Sequence, residues 1–179
     1  AKGKEYMPVD IEFDRRPVTI IGANMGGKTV VLKCLALNQL LAQFGFGVAA
    51  HDCCVNLVDE VALCIGDDQS VEKGISSFAA EMLAINSVVL KIRKGINILS
   101  LVDEPARTTN PVEGTALVEG LLDVISEVKG GFVLTTHYNI MNDNVKRYRV
   151  RGLRNNVMDY TLEVTQSGDV PHEAVAIAE

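Results

Sequence analysis

The chain has 179 residues, of which 47% are hydrophobic and 22% charged, and its formal net charge is −6. This is the composition of an ordinary globular domain, and the acidic balance argues against a domain that binds nucleic acid by neutralising phosphates. Because no apolar stretch approaches the roughly 20 residues of a membrane span, we expect one domain over residues 1–179, in the cytoplasm and without a membrane partner.

A candidate phosphate-binding loop follows the first predicted strand, Val18 to Ile21. Backbone N–H groups of a glycine-rich turn at a helix N-terminus can surround a polyphosphate. Lys28, which we expect to face solvent, would bind the terminal phosphates, and Thr29 would bind Mg²⁺. The alternative, a turn that binds nothing, leaves the lysine and the threonine unexplained. The predicted nucleotide-binding residues of the loop are Gly22, Ala23, Asn24, Met25, Gly26, Gly27, Lys28 and Thr29.

The next elements alternate between helix and strand. Apolar residues recur at helical spacing from Lys28 to Phe44, until Gly45 interrupts the pattern. Short strands are predicted within 48–50 and 55–65. A second helix is predicted from Ser76 to Arg93, with one apolar stripe.

The four cysteines lack the paired spacing of a zinc site. We expect buried free thiols at all four positions, which are Cys34, Cys53, Cys54 and Cys64.

An acidic pair, Asp103 and Glu104, follows the apolar run from Ile96 to Val102. Such a run is typical of a strand buried on both faces, and ligands of open α/β sheets gather at the carboxyl ends of their strands. Asp103 would hold Mg²⁺, while Glu104 would orient or deprotonate the water that attacks the γ-phosphate. The alternative is an ordinary acidic turn.

The last third of the chain predicts a helix over 112–128, a buried strand over 132–136 and a hairpin formed by 148–153 and 157–164. A short final helix is predicted from Pro171. His137 directly follows the buried strand. A histidine there is either a structural group or, beside a γ-phosphate, a sensor that contacts it.

One basic cluster is present in the hairpin region. We interpret it as the solvated face of an edge strand, because its charges alternate with Tyr148 and Val150. The alternative is a surface for DNA. Its members are Lys146, Arg147, Arg149, Arg151 and Arg154. Taken together, the elements predict an α/β fold: a largely parallel central sheet flanked by helices, with an antiparallel hairpin at its edge.

Four motifs resemble the MutS ATPase domain, in order and in spacing. They are GANMGGKT, then GISSFAAEM, then LSLVDEPAR, and finally TTHYN, and the resemblance runs from about Arg16 to Tyr138. It implies an ABC-type P-loop ATPase that uses ATP and Mg²⁺. It also implies two sites formed between two ATPase domains, a homodimer being expected, in which Ser76 meets the γ-phosphate bound by the partner.

The loop after the acidic pair departs from the family pattern. Two of its usual glycines are replaced by Ala106 and Thr108, while Arg107 and Gly114 are retained, and the usual proline of the phosphate loop is Ala23. These departures suggest a divergent MutS-related branch. The absence of an initiator methionine and the abrupt start suggest a C-terminal fragment of a longer chain.

Three functions stay open at this point. The first is the motor of a DNA mismatch-repair or DNA-handling protein, with DNA bound through domains absent from this chain. The second is an ATP-driven reactivase of an adenosylcobalamin-dependent aminomutase, without DNA binding. The third is a module that dimerises on ATP and hydrolyses it poorly, against which Glu104 argues because it supplies a base.

Overall fold

A computed structural model describes residues 7–14, 16–22, 27–65, 77–127, 130–154 and 157–166. The strands are β1 (Val18–Ile21), β2 (Glu60–Ile65), β3 (Ile98–Asp103), β4 (Gly131–Thr136), β5 (Lys146–Arg154) and β6 (Val157–Thr165). The helices are α1 (Lys28–Gln43), α2 (Ser77–Arg93) and α3 (Pro111–Ser126). Within the described residues, no helix combines the length and the apolar character that a membrane crossing requires.

All six strands belong to one sheet, in the order β2-β3-β4-β1-β5-β6. Every neighbouring pair is parallel except β5 and β6, which are antiparallel. The fold is therefore α/β with a mostly parallel sheet, as the sequence predicts. Because β4 lies between β1 and β3, the turns that follow these three strands meet at one edge of the sheet.

Side chains of alternate strand residues pack against opposite layers of helix. Val18 and Ile20 of β1 pack with Leu32 of α1, whereas Val102 of β3 and Leu134 of β4 pack with residues of α2 and α3. Covering both faces explains the nearly continuous apolar runs of β1, β3 and β4. The core residues on the α2 and α3 side include Ile85, Val89, Val118, Leu122, Ile125 and Phe132.

The first half of the chain confirms one prediction and corrects another. The predicted helix from Lys28 is confirmed as α1, which ends at Gln43, and two of its predicted apolar residues, Leu40 and Phe44, are exposed. Residues 48–50 and 55–59 form no strand, so β2 alone remains of that prediction. The predicted final helix from Pro171 lies outside the described residues.

The prediction of buried thiols was also wrong. All four cysteines are free, but Cys34, Cys53 and Cys54 are exposed and Cys64 is half-buried. Cys34 lies on the outer face of α1, and the other two exposed thiols lie in the irregular segment before β2. The only one of the four in a strand, Cys64, has its pKa raised by burial and by the nearby Glu81 carboxylate.

The basic cluster belongs to an inner strand, because β5 lies between β1 and β6. Arg147 is buried, and its guanidinium donates to the carbonyl of Asn142. Arg151 pairs with Glu163 and Asp159 of β6, and Arg149 also pairs with Glu163. The interpretation as a solvated edge face was therefore wrong. Acidic partners on the neighbouring strand balance much of this charge.

Candidate functional site

The junction between β1 and α1 places backbone N–H groups at the edge of the sheet. Gly27 has a φ of 70°, a left-handed conformation that glycine adopts without steric cost, and it caps α1. Gly27 has no side chain with which to cap this helix, and a helix N-terminus is a favourable position for an anion. Ala23, Asn24, Met25 and Gly26 lie outside the described residues.

Lys28, the first residue of α1, reaches across the end of β4. Its Nζ donates to the carbonyl of Gly22 at 2.7 Å and lies 2.9 Å from Oε1 of Glu104. The expectation that Lys28 faces solvent was wrong, since its side chain is 3% exposed. The reason is that its ammonium group is held by the Gly22 carbonyl and the Glu104 carboxylate, so the charge is compensated without water.

Thr29 and Asp103 form the second contact between the two turns. The Thr29 hydroxyl donates to Oδ2 of Asp103 at 2.6 Å, and the Thr135 hydroxyl donates to Oδ1 of the same carboxylate at 2.6 Å. A hydroxyl and a carboxylate oxygen in contact suit Mg²⁺, which takes few protein ligands beside water and phosphate. Among the described residues, no cluster of three or more His, Cys, Asp or Glu side chains offers an alternative metal site.

These contacts line an open cleft of about 360 Å³, a size in the range of small-molecule sites. Two cations, Lys28 and Arg107, and two carboxylates, Asp103 and Glu104, face the same space. The lining residues are Gly27, Lys28, Thr29, Val30, Asp103, Glu104 and Arg107. The cleft therefore combines backbone N–H groups, a buried ammonium group and an acidic pair.

The turn after β3 has an unusual backbone for its residue types. Glu104 has a φ of 44° and Ala106 a φ of 62°, although neither is a glycine. The N–H of Glu104 donates to the carbonyl and to the hydroxyl of Thr135, at 3.1 and 3.0 Å. The N–H of Ala106 donates to Oε2 of Glu81, and its carbonyl accepts from the Tyr138 hydroxyl.

Comparison with known proteins identifies the family. The family model described as MutS domain V matches residues 18–178. The chain belongs to the MutS family. Endonuclease MutS2 of Caldanaerobacter subterraneus subsp. tengcongensis is 33% identical over 165 residues, which cover 89% of this chain and 20% of that protein. Endonuclease MutS2 of Lacticaseibacillus casei is 42% identical over 122 residues, or 68% of this chain and 15% of that protein.

A third relative, endonuclease MutS2 of Ligilactobacillus salivarius, is 40% identical over 129 residues, or 70% of this chain and 16% of that protein. The matched part of this MutS family domain thus spans a fifth or less of the length of the relatives described here. The family resemblance that the four sequence motifs indicated is therefore confirmed.

The structure places one predicted site residue, His137, outside the cleft and does not describe another, Ser76. His137 directly follows β4, is exposed, and its ring centroid lies 4.3 Å from that of Tyr138. It does not line the cleft, and its role as a phosphate sensor stays a prediction. Ser76 lies outside the described residues, so its role stays a prediction as well.

Three supporting residues of this MutS family domain were missed by the sequence reasoning. Thr135 contacts both Asp103 and Glu104, while Glu81 and Tyr138 contact Ala106. The position of Thr135 had an available signal. It pairs in register with Asp103 on the parallel neighbouring strand, and the ends of both strands were already predicted. Glu81 and Tyr138 had no comparable signal, because no local pattern couples them to position 106.

Burial raises the pKa of two of these groups. It raises the pKa of the Glu81 carboxyl, which the Ala106 N–H and the Arg107 charge partly counteract. It also raises the pKa of the Tyr138 hydroxyl, and the carboxylates of Glu81 and Glu104 act in the same direction. Tyr138 therefore stays a neutral donor toward the carbonyl of Ala106.

Proposed function

We propose that this domain binds ATP together with Mg²⁺ and hydrolyses ATP to ADP and phosphate, as the ABC-type P-loop ATPase domain of a MutS-like protein. One observation supports this function most directly. Lys28 and Thr29 at the start of α1 touch Glu104 and Asp103 at the end of β3. The proposed phosphate-binding residues Lys28 and Thr29 thus line the same cleft as the acidic pair.

Nucleotide binding would exchange one ionic partner of Lys28 for another. In the described structure its ammonium group pairs with the Glu104 carboxylate, and both side chains are largely shielded from water. The terminal phosphates of ATP carry more negative charge than one carboxylate. They would take over Lys28 and the N–H groups at the start of α1, and Glu104 would be released toward the cleft.

Mg²⁺ would be held by Thr29 and Asp103, with Thr135 fixing the orientation of the Asp103 carboxylate. When bound, the ion neutralises part of the phosphate charge. The Thr29 hydroxyl, which now donates to Asp103, would turn its oxygen lone pair to the ion.

Glu104 would act as the general base. Its carboxylate takes a proton from a water molecule while that water attacks the γ-phosphorus, and the bond from the γ-phosphorus to the bridging oxygen of ADP breaks in line. The products are ADP and inorganic phosphate, and the proton then leaves Glu104. His137 would contact the γ-phosphate from the end of β4.

We further propose that the working ATPase is a homodimer. Ser76 of one domain would complete the γ-phosphate site of the other, and the segment from Arg107 to Gly114 would contribute to the contact between domains. If ATP lies in this interface, linkage requires that ATP binding favour association.

For the parent protein we propose a cytoplasmic role in DNA handling, of which mismatch repair is one form. The relatives described above carry the name endonuclease MutS2. DNA would be bound by parts outside this chain, since the domain carries a net charge of −6 and the arginines of β5 have acidic neighbours on β6. The comparisons do not favour the aminomutase reactivase.

A complementation experiment tests the site and the dimer together. Lys28→Met should weaken ATP binding by about 10- to 100-fold, the loss of a charge-assisted contact. Lys33→Met, on the exposed face of α1, is the control and should bind ATP normally. Ser76→Ala should bind ATP and hydrolyse it slowly. Isothermal titration measures the binding, and phosphate release measures the hydrolysis.

The decisive measurement is the hydrolysis rate of a mixture of Lys28→Met and Ser76→Ala. In a mixed dimer one of the two composite sites carries both lesions and the other carries neither. Random pairing at equal concentrations should therefore restore about a quarter of the wild-type rate per protomer. Unchanged ATP affinity in folded Lys28→Met would overturn the site. A monomer at saturating ATP, with no activity restored on mixing, would overturn the dimer.

A further inference from the structure

The turn that carries Glu104 is conformationally costly by itself. A left-handed backbone costs an L-residue free energy because its Cβ crowds the carbonyl oxygen, and such residues persist only where neighbouring groups hold them. Glu104 and Ala106 both adopt it, on either side of Pro105. Contacts from outside the turn must therefore stabilise it.

The two halves of the turn have different supports. Thr135 on β4 holds the N–H of Glu104. The peptide groups on either side of Ala106 are held by side chains from two further elements. Glu81 of α2 accepts from its N–H at 3.2 Å, and the Tyr138 hydroxyl donates to its carbonyl at 2.8 Å. Ala106 itself is fully buried between them.

Glu81 is an unfavourable residue for a purely structural contact, because its charge is partly buried. Its carboxyl is half-buried, and burying a charged group is unfavourable unless the group is compensated. Two groups of the turn after β3 compensate the Glu81 carboxylate. They are the Ala106 N–H, which donates to it, and the positive charge of Arg107, which lines the cleft. Glu81 thus acts on both residues that follow Pro105.

We infer that Glu81 is a positioning residue for hydrolysis, which holds the left-handed turn at Ala106 and so directs the Glu104 carboxylate toward the attacking water. This inference rests on the proposed function. Glu81 itself does not line the cleft. Its helix, α2, begins at Ser77, immediately after Ser76 in the sequence. The helix that follows the proposed partner-facing serine therefore also holds the turn of the general base.

The test compares two replacements of similar size. Glu81→Gln keeps an oxygen that can accept from the Ala106 N–H, whereas Glu81→Met has no acceptor. The control is Asn86→Met, which places the same apolar side chain at an exposed position of α2. Each variant is measured for the equilibrium Kd of ATP, for kcat of phosphate release, and for amide hydrogen exchange at Ala106.

Glu81→Met should lower kcat at least about tenfold, because a misplaced catalytic group loses rate steeply. Its ATP Kd should stay within about twofold, and exchange at Ala106 should accelerate. Glu81→Gln should restore kcat to within about threefold of wild type, and Asn86→Met should match wild type.

Two results would overturn the inference in an active wild type: an unchanged kcat in Glu81→Met, or an equal loss of kcat and of ATP affinity in both Glu81 variants. The second result would make Glu81 a structural residue. Failure of the proposed function is distinguishable, because it appears as an absence of hydrolysis in the wild-type protein itself.

Discussion

The turns after β1 and after β3 leave the same edge of one sheet, yet they are stabilised differently. The first uses glycine, with Gly27 at a φ of 70°. The second uses Glu104 and Ala106 at φ values of 44° and 62°. Glycine adopts a positive φ without steric cost because it has no Cβ. Glu104 and Ala106 instead depend on hydrogen bonds with Glu81, Thr135 and Tyr138.

The proposed chemistry accounts for the difference. A phosphate-binding turn needs bare backbone close to the ligand, which glycine supplies. The other turn must present a carboxylate at position 104, so glycine cannot relieve the strain there. Strain of this kind is found where function requires it, and here the supports come from distant parts of the chain. We therefore expect the first turn to be sensitive to replacement of its glycine, and the second to loss of the side chains that support it.

The largest effect on stability should come from the supports of the second turn. A Cβ at Gly114 would lie 2.3 Å from the Tyr138 hydroxyl oxygen, so Gly114→Ala must displace the ring and break its bond to Ala106. We expect a loss of about 2–3 kcal/mol in unfolding free energy, as for an overpacked core.

The matched control lies on the same helix. A Cβ at Gly120 meets nothing within 4 Å, so Gly120→Ala should raise the unfolding free energy by about 0.8–1 kcal/mol through helix propensity. Urea unfolding checks both variants. Equal changes in the two would show that Tyr138 does not constrain α3.

A smaller effect on stability is expected at the first turn. Gly27→Ala places an L-residue at positive φ, which costs about 1–2 kcal/mol. Its Cβ would also lie 3.0 Å from the Tyr160 ring. Gly45→Ala is the control, since Gly45 has a φ of 75° but open space around its Cβ.

Both variants should lose stability through the positive φ, Gly27→Ala more than Gly45→Ala because of the close Tyr160 ring, and Gly27→Ala alone should weaken ATP binding. Thermal unfolding and titration with ATP separate the two effects. Normal ATP affinity in Gly27→Ala would show that the first turn tolerates a side chain, contrary to its proposed role.

Local signals predicted much of the fold. Continuous apolar runs identified β1, β3 and β4, and apolar residues at helical spacing identified α1. The acidic pair was also placed correctly, because it directly follows a core strand. These features depend on residues that are close in sequence, so a single chain can display them.

The parts that were not predicted depend on contacts between distant residues. The burial of Lys28 follows from the position of β4 between β1 and β3. The position of β5 inside the sheet depends on the parallel pairing of Lys146 with Val18. The support of Ala106 requires two side chains, Glu81 and Tyr138, that no periodicity connects. Strand order and packing decide all three, and neither is visible in local spacing.

The most direct test of the proposed ATPase is Glu104→Gln. The amide keeps the size of the side chain but cannot take a proton from water. It also removes the carboxylate that pairs with Lys28, so ATP should bind at least as tightly as in wild type. Hydrolysis should slow by about 10²- to 10⁴-fold. Glu127→Gln, at an exposed glutamate at the C-terminal end of α3 and outside the proposed contact between domains, is the control and should keep wild-type turnover.

The decisive measurement is the rate of phosphate release at saturating ATP, with the ATP Kd measured in parallel. Tight binding with strongly reduced turnover in Glu104→Gln alone is the result that we predict. Turnover equal to wild type, or a wild-type protein that neither binds nor hydrolyses ATP, would contradict the assignment of the cleft as an ATPase site.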